Sequence, residues 1–394
     1  MNPSGLALHW KILIALTAGA VAGYFSTDVV IGSVPLVSVF EFIGQLFLNA
    51  LKMLIVPLVA SSIALGVAGL GNTDSLGSMG LKTAAFYVLT TTTAIVTGLI
   101  IVNLVQPGIV DGRPAGELLA LTGNTDVLQE KLAGRGLGEI PQILLRAVPQ
   151  NIIAAAAANE MLALIFFSAV FGYFMSQIEH ALADTLYRFT SAVFETMLLV
   201  THWVMKFAPY GVFGLVAAVV AKTGFSAAGP LVAFSLATLA ALAIHFFLSL
   251  PAYVKFIGQC SPLKLFRAVA PALLTAFSTA SSSATLPVTM DNLENRAGVP
   301  NTYTSFVLPL GATVNMNGTA LYECMAAIFI AQAYGVSLSL TTQFLIVVIA
   351  LITSIGVAAV PSASLVAIAI ILSAVGLPIE AIGVLLVFDR ILDM

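Results

Sequence analysis

The chain has 394 residues, 59% of them hydrophobic and only 8% charged, against roughly 25% charged in soluble domains. A water-soluble globular protein is excluded and a membrane protein is implied. A formal net charge of −3 lacks the basic excess with which proteins hold nucleic acid, and Cys260 and Cys324 make neither a disulfide framework nor a CxxC metal pattern.

In chain order, apolar helical segments are predicted near 10–26, 39–69, 80–105, 149–178, 184–220 and 227–255. Several of these stretches reach the roughly 20 residues that a membrane-spanning helix needs. His9 and Lys11 lead into ILIALTAGAVAGYF with no cleavage pattern, which predicts a first membrane helix and not a removable signal peptide. Pro57, in LKMLIVPLV with Lys52, predicts a bend. The hydrophilic stretch 106–147 reads as an external or interfacial loop; its five acidic and four basic residues leave orientation open under the positive-inside rule.

The last third is interrupted. LKLFRAVAPALLTAFSTASSSATLPVTMDNLENRAG and TTQFLIVVIALITSIGVAAVPSASLVAIAIILSAVGLP share one outline: an apolar arm, a small polar centre and a second short arm. They predict two re-entrant helical hairpins, at about 258–292 and about 341–376. Each polar tip would lie at a depth where non-helical backbone survives only against protein or a wet cavity. Such paired interruptions point to a transporter's binding site. Between them, 303–332 predicts a spanning helix broken at NMNG. The break exposes carbonyls on one half and amide hydrogens on the other, attracting cations and carboxylates respectively.

Ser281, Ser282 and Ser283 at the first tip read either as small-residue packing or as a carboxylate-capturing turn. Asn315 and Asn317 serve one face only on non-helical backbone or if one of them contributes its carbonyl; they read as interhelical hydrogen-bonding groups or as side-chain and main-chain oxygen ligands of a hard cation such as Na⁺, to which Thr90 and Thr91 would add hydroxyls. Glu323, four residues after Thr319 on the same helix face, is an intramembrane acid and so a functional candidate. It either stays neutral as a hydrogen-bond donor or cycles a proton. Asp389 and Asp393, spaced i,i+4, would hold a cation or a substrate ammonium, or form a helix-end charge pattern with Arg390. His9, His180, His202 and His245 share no metal-site spacing and read as structural, and Glu160, just after AAAAAN, reads as an interfacial helix-start residue with no functional role. No nucleophile with its base, zinc set or cofactor loop is visible, so an enzyme is not expected.

SSSATLPVTM, SFVLPLGATVNMNGTALYECMAAIFIAQA and DRILDM, with LKMLIVPLV and FYVLTTTTA upstream, closely resemble the dicarboxylate/amino acid:cation symporter family over nearly the whole chain. That family comprises the sodium-coupled glutamate and aspartate transporters and their bacterial homologues. The resemblance implies an all-α polytopic membrane protein with eight transmembrane helices, two re-entrant hairpins, inverted repeats and an elevator mechanism. It also implies a homotrimer in lipid, in a bacterial inner membrane. Residues 1–255 would be mainly scaffold, with the third helix (about 80–105) joining a transport core at 256–394 that ends in an incomplete last helix at about 379–394.

By the same resemblance, Ser281–Ser283, Thr319, Val360, Pro361 and Asp393 contact substrate, with Asp393 on the amino group. Tyr87, Thr90, Thr91, Asn315 and Asn317 form one sodium site; Thr313, Met316, Ser354, Ile355 and Val357 a second; Gly311 and Asn315 part of a third. Glu323 resembles the acid linked to proton and potassium coupling in animal members. The implied function is uptake of L-glutamate or L-aspartate driven by two or three sodium ions, with H⁺ as a further coupled ion. Small neutral amino acids or C4-dicarboxylates are the alternative substrates; a substrate-gated anion channel and a non-transporting scaffold are the alternatives of another class. Three departures stand out. NMNGT replaces the family's usual NMDGT, AAVPSAS replaces a glycine-rich second tip, and the sequence stops at Met394, short of the arginine expected to grip an acidic side chain. The expectation is a last helix that continues past this point.

Overall fold

The computed structural model describes residues 8–26, 29–31, 33–71, 77–119, 121, 145, 148–158, 160–224, 228–356 and 364–392. It is all-α apart from two minimal antiparallel ladders, β1 (Val30–Ile31) with β2 (Val34–Pro35) and β3 (Ile109–Val110) with β4 (Arg113–Pro114). Among the described residues, Leu36–Ala68, Gly80–Val105 and Ala228–Phe256 are long and apolar enough to cross a membrane, and one bent helix pair makes a fourth if the pair is counted as a single span. Large apolar side chains such as Phe42, Leu104, Phe189 and Phe247 lie on the exterior, as a hydrocarbon solvent requires.

The first half packs around α2 (Leu36–Gly71), which runs on through Pro57. The helices α1 (Leu8–Phe25), α5 (Met161–Met175), α6 (His180–Met205) and α7 (Ala208–Thr223) lie against α2 or against one another. The α1 and α7 backbones meet through glycine: a Cβ on Gly23 would lie 2.4 Å from the Ala217 carbonyl oxygen. Close backbone approach of this kind is how membrane helices gain dispersion contact without a hydrophobic driving force.

Two expected segments are divided. The run 149–178 splits into α4 (Ile152–Ala157), capped by Asn151 Oδ1 on the amides of Ile153 and Ala154, and α5. The run 184–220 becomes α6 and α7, bent by 53°. Pro209 sits in the first turn of α7, where its missing N–H costs nothing. In contrast, α8 (Ala228–Ile244) continues through a π-turn, His245–Ser249, into α9 (Leu250–Phe256). There the Leu250 amide donates to the His245 carbonyl, five residues back, immediately before Pro251, which has no amide hydrogen to offer the ladder.

The second half holds the interrupted elements. The first is α10 (Pro262–Thr279), a left-handed Ala280 (φ 48°), and α11 (Ser282–Asp291), whose N-cap is Ser281. The two arms pack on each other, and a π-turn (Asn292–Arg296) follows. Glu294 in that turn accepts from Asn301 Nδ2 at 2.9 Å and from the Thr304 hydroxyl, tying the hairpin's end to α12 (Asn301–Val314). The broken helix resumes as α13 (Asn317–Ala333). Next come α14 (Leu340–Gly356), α15 (Ser364–Val375), a 3₁₀ turn (Ile379–Ala381) and α16 (Ile382–Leu392). The tip expected between α14 and α15 lies outside the described residues.

Almost every residue of α13 from Ala320 to Ala333 is buried, the environment of a helix that is apolar all round. It packs against α3 (Gly77–Val105), α8, α14 and α15. Gln332 on α13 donates to the Val102 carbonyl and accepts from the Gly108 amide, while Asn103 on α3 donates to Gln343 on α14. These bonds pin the register of three helices at one end.

The Gly23 contact yields a measurable outcome. Gly23→Ala forces two backbones apart and is expected to cost about 1–3 kcal/mol, read as a lowered thermal unfolding midpoint in detergent. Gly229→Ala, where an added Cβ meets nothing within 4 Å, should leave the midpoint unchanged or raise it slightly.

Candidate cation and substrate site

The chain leaves helical geometry at Asn315 (φ −109°, ψ 67°) and Met316 (φ −99°, ψ 68°). The Asn315 amide still reaches back to the Gly311 carbonyl, and the Met316 carbonyl accepts from Ala320, so the break is closed on both sides. This non-helical pair brings two asparagines, two apart in sequence, toward the same helix, α3. Asn315 Oδ1 accepts from Thr90 and from Thr91, each at 3.2 Å. Asn317 Oδ1 accepts from Thr91 at 2.8 Å. Both threonines are buried.

One turn earlier on α3, Tyr87 donates to the Val307 carbonyl of α12 at 2.6 Å. Gly311 faces the same phenol: a Cβ there would lie 2.7 Å from its oxygen. Tyr87, Thr90 and Thr91, buried on α3, and Gly311, Asn315 and Asn317, half-buried on the broken helix, are therefore gathered at one junction. The junction offers neutral oxygens, carbonyl, amide and hydroxyl, which suit a hard cation of low charge. No group of three or more His, Cys, Asp or Glu side chains able to hold a metal occurs among the described residues.

The junction contains a residue that the sequence reading set aside as structural. His245, buried at the start of the π-turn, places Nε2 3.4 Å from Asn317 Nδ2. The available signal was its position in a long apolar span just ahead of Pro251, since ionisable residues within a membrane span are functional candidates by default.

The other candidates are more dispersed. Glu323 is fully buried; Oε2 accepts from the Thr353 hydroxyl at 2.9 Å, and Oε1 has no hydrogen-bond partner among the described residues. Asp389 is buried and accepts from Tyr322 at 3.3 Å and from Ser364 at 3.4 Å, so it joins α16, α13 and α15. Met316 and Ser354 are buried, and the Ser354 hydroxyl donates to the Leu351 carbonyl. Ser281 Oγ accepts from the Ala284 amide as the N-cap of α11, Ser282 is exposed, and Thr319 is half-buried in the first turn of α13. Val357, Val360, Pro361 and Asp393, and the side chains of Ser283, Thr313 and Ile355, lie outside the described residues.

Long apolar helices, a helix broken at its polar centre and a buried acid on the same helix define a membrane transporter. The sodium:dicarboxylate symporter family matches residues 8–394, and the chain belongs to that family. It is similar to the proton/glutamate-aspartate symporter of Escherichia coli (strain K12), with 37% identity over 98% of this chain and 88% of that protein. It is also similar to the proton/sodium-glutamate symport protein of Bacillus caldotenax, with 34% identity over 99% of this chain and 90% of that protein. The C4-dicarboxylate transport protein of Laribacter hongkongensis is 29% identical over 98% of this chain and 85% of its own length. The protein is a multi-pass membrane secondary transporter of the glutamate/aspartate symporter family, coupled to cation gradients.

Thr91 serves both asparagine oxygens, so Thr91→Val should weaken the junction most, by about 1–3 kcal/mol for the lost and unsatisfied hydrogen bonds. The measurement is sodium-dependent substrate binding, with the half-saturating sodium concentration expected to rise by roughly tenfold. Thr97→Val, whose hydroxyl bonds only its own helix at the Thr93 carbonyl, should leave it unchanged.

Proposed function

We propose that this protein takes up acidic amino acids, L-aspartate and L-glutamate, driven by the inward flow of two or three sodium ions. The observation that carries the reading is the convergence of Thr90 and Thr91 on Asn315 and Asn317 at the helix break. The names of the Escherichia coli and Bacillus relatives, which specify glutamate or aspartate and protons or sodium, support the substrate and the ions.

In this mechanism sodium binds first at the α3 junction, where Tyr87, Thr90, Thr91, Gly311, Asn315 and Asn317 offer oxygens, and stiffens the break. A second sodium is held by Thr313, Met316, Ser354, Ile355 and Val357, beneath the second hairpin. The substrate carboxylate is held by Ser281–Ser283 at the N-terminus of α11, where amide hydrogens and the helix dipole favour an anion. Thr319, Val360 and Pro361 line the amino acid, and Asp393 takes its ammonium. Asp389, bonded to Ser364, anchors the second arm of the second hairpin against α13 and α16. The loaded core, residues 256–394 with the third helix, then moves across the membrane against the scaffold of residues 1–255, within a homotrimer in the bacterial inner membrane. Coupling is reciprocal: sodium raises substrate affinity by the factor by which substrate raises sodium affinity.

The test is uptake of labelled L-aspartate by purified protein in liposomes under an inward sodium gradient, with a sodium-free control. Accumulation above the equilibrium level only with the gradient is expected. Accumulation of succinate or L-alanine in place of aspartate would replace the substrate assignment, and passive equilibration would replace the symport reading. Glu323→Gln removes the buried acid while keeping a hydrogen-bond acceptor for Thr353; if Glu323 carries a proton through the cycle, this variant loses the pH dependence of uptake while retaining its sodium dependence.

A further inference from the structure

The first hairpin begins with a basic and partly apolar surface that no ion or substrate contact uses. Lys255 lies in the last turn of α9, and the chain then reverses through a left-handed Gln259 (φ 50°). The Gly258 amide reaches back to the Tyr253 carbonyl at 3.0 Å and the Cys260 amide to the Val254 carbonyl at 3.1 Å. These bonds fold the connection onto the end of α9, so that α10 starts at Pro262 against it. Phe266 stacks on Phe246 of the π-turn, with ring centroids 5.1 Å apart, which fixes the inner face of α10. Lys264 and Arg267, three apart and so neighbours on the helix surface, are exposed, as is Lys255.

None of these three cations makes an ion pair among the described residues. Between Ala228 and Pro300 the only acids are Asp291 and Glu294. Both are engaged with neutral donors: Asp291 accepts from Asn295, and Glu294 from Asn301 and Thr304. Apolar groups interleave with the cations instead. Phe256 is 75% exposed, Ile257 57% and Leu263 59%, and Lys255 Nζ lies 5.8 Å from the centroid of the Phe256 ring. On the face of α10 that carries Arg267, Leu274 is 69% exposed, about 10 Å further along the helix axis. The outer face of α10 thus changes from cations to hydrocarbon over a distance comparable with the step from headgroups into a bilayer interior. Water would penalise the apolar groups and hydrocarbon the cations; a membrane boundary suits both.

We infer that Lys255, Lys264 and Arg267 form a docking surface for the headgroups of anionic phospholipids, with Phe256, Ile257 and Leu263 set among the adjoining acyl chains. A soluble anion would engage the cations alone and leave those three apolar side chains in water. The surface is separate from the proposed sodium and substrate sites and does not depend on them.

The chain carries a reporter for the test, because Cys260 is exposed between Lys255 and Lys264 whereas Cys324 is buried. The full chain, labelled at Cys260 with a maleimide fluorophore, is placed in phosphatidylcholine vesicles. Phosphatidylglycerol or phosphatidylcholine bearing a nitroxide high on one acyl chain is then added as quencher. Half-maximal quenching should need at least about fivefold less phosphatidylglycerol than phosphatidylcholine, since a single Lys or Arg near an anionic surface contributes roughly that factor. The preference should shrink as salt shortens the Debye length from about 30 Å at 0.01 M to about 3 Å at 1 M. Replacing Lys255, Lys264 and Arg267 together by Gln should make the two lipids equal. Lys222→Gln, which lies outside this surface and loses its pairing with Glu41, should keep the preference.

Equal quenching by the two lipids in the unsubstituted protein, or quenching by neither, overturns the inference, as does a preference that survives the triple substitution. A preference abolished by millimolar inorganic phosphate at constant ionic strength assigns the surface to a soluble anion and overturns it too. Should the triple variant fail to fold, Lys264→Gln and Arg267→Gln decide singly: a partial loss of preference from each supports the surface, and no loss from either overturns it.

Discussion

Two residues of non-helical backbone, Asn315 and Met316, separate α12, exposed or half-buried over most of its length, from α13, buried among apolar neighbours. Within a membrane no bulk water is present to satisfy peptide groups. The break is tolerable because the Asn315 amide and the Met316 carbonyl find partners within the two half-helices, and because α3 brings threonine hydroxyls to the asparagine oxygens. The rest of the second half is arranged to keep that junction intact. α13 is enclosed by α3, α8, α14 and α15, and its far end is pinned through Gln332 to α3.

The same economy explains the other irregularities. Pro209 coincides with a 53° bend, and Pro251 follows a π-turn. Each proline removes an amide hydrogen from the ladder, and each is placed where the ladder is already altered. At Pro251 the alteration also carries His245 to the cation junction, so a backbone accommodation and a polar contact share one turn. Membership in a cation-coupled symporter family gives such a junction its use, since coupling requires an ion-binding group whose geometry the substrate's enclosure can favour or oppose.

Buried acids mark two further junctions. Glu323 meets Thr353 of α14, and Asp389 meets Tyr322 of α13 and Ser364 of α15. Both tie the helices on either side of the second hairpin to the broken helix. Through these bonds, as well as through packing, α14 and α15 are tied to α13, the helix that carries the proposed ion site.

Much of this was legible in the residues. Low charge and long apolar runs imply a membrane protein because hydrocarbon excludes unpaired polar groups. NMNG identifies the break, since glycine and asparagine weaken a helix locally, and the spacing of Asn315 and Asn317 requires non-helical backbone if both side chains are to serve one junction. Glu160 reads as a helix start and is the N-cap of α5, whereas the bend near Pro209 was missed because a continuous apolar window hides short interruptions. What only tertiary structure decided were the pairings between distant helices: Thr91 with Asn317, Thr353 with Glu323, Asp389 with Tyr322, and His245 with an asparagine 72 positions later. Sequence determined which segments prefer lipid and where their ladders fail, because those are local properties of side chain and backbone; which polar group answers each failure depends on helix packing, which no local pattern records.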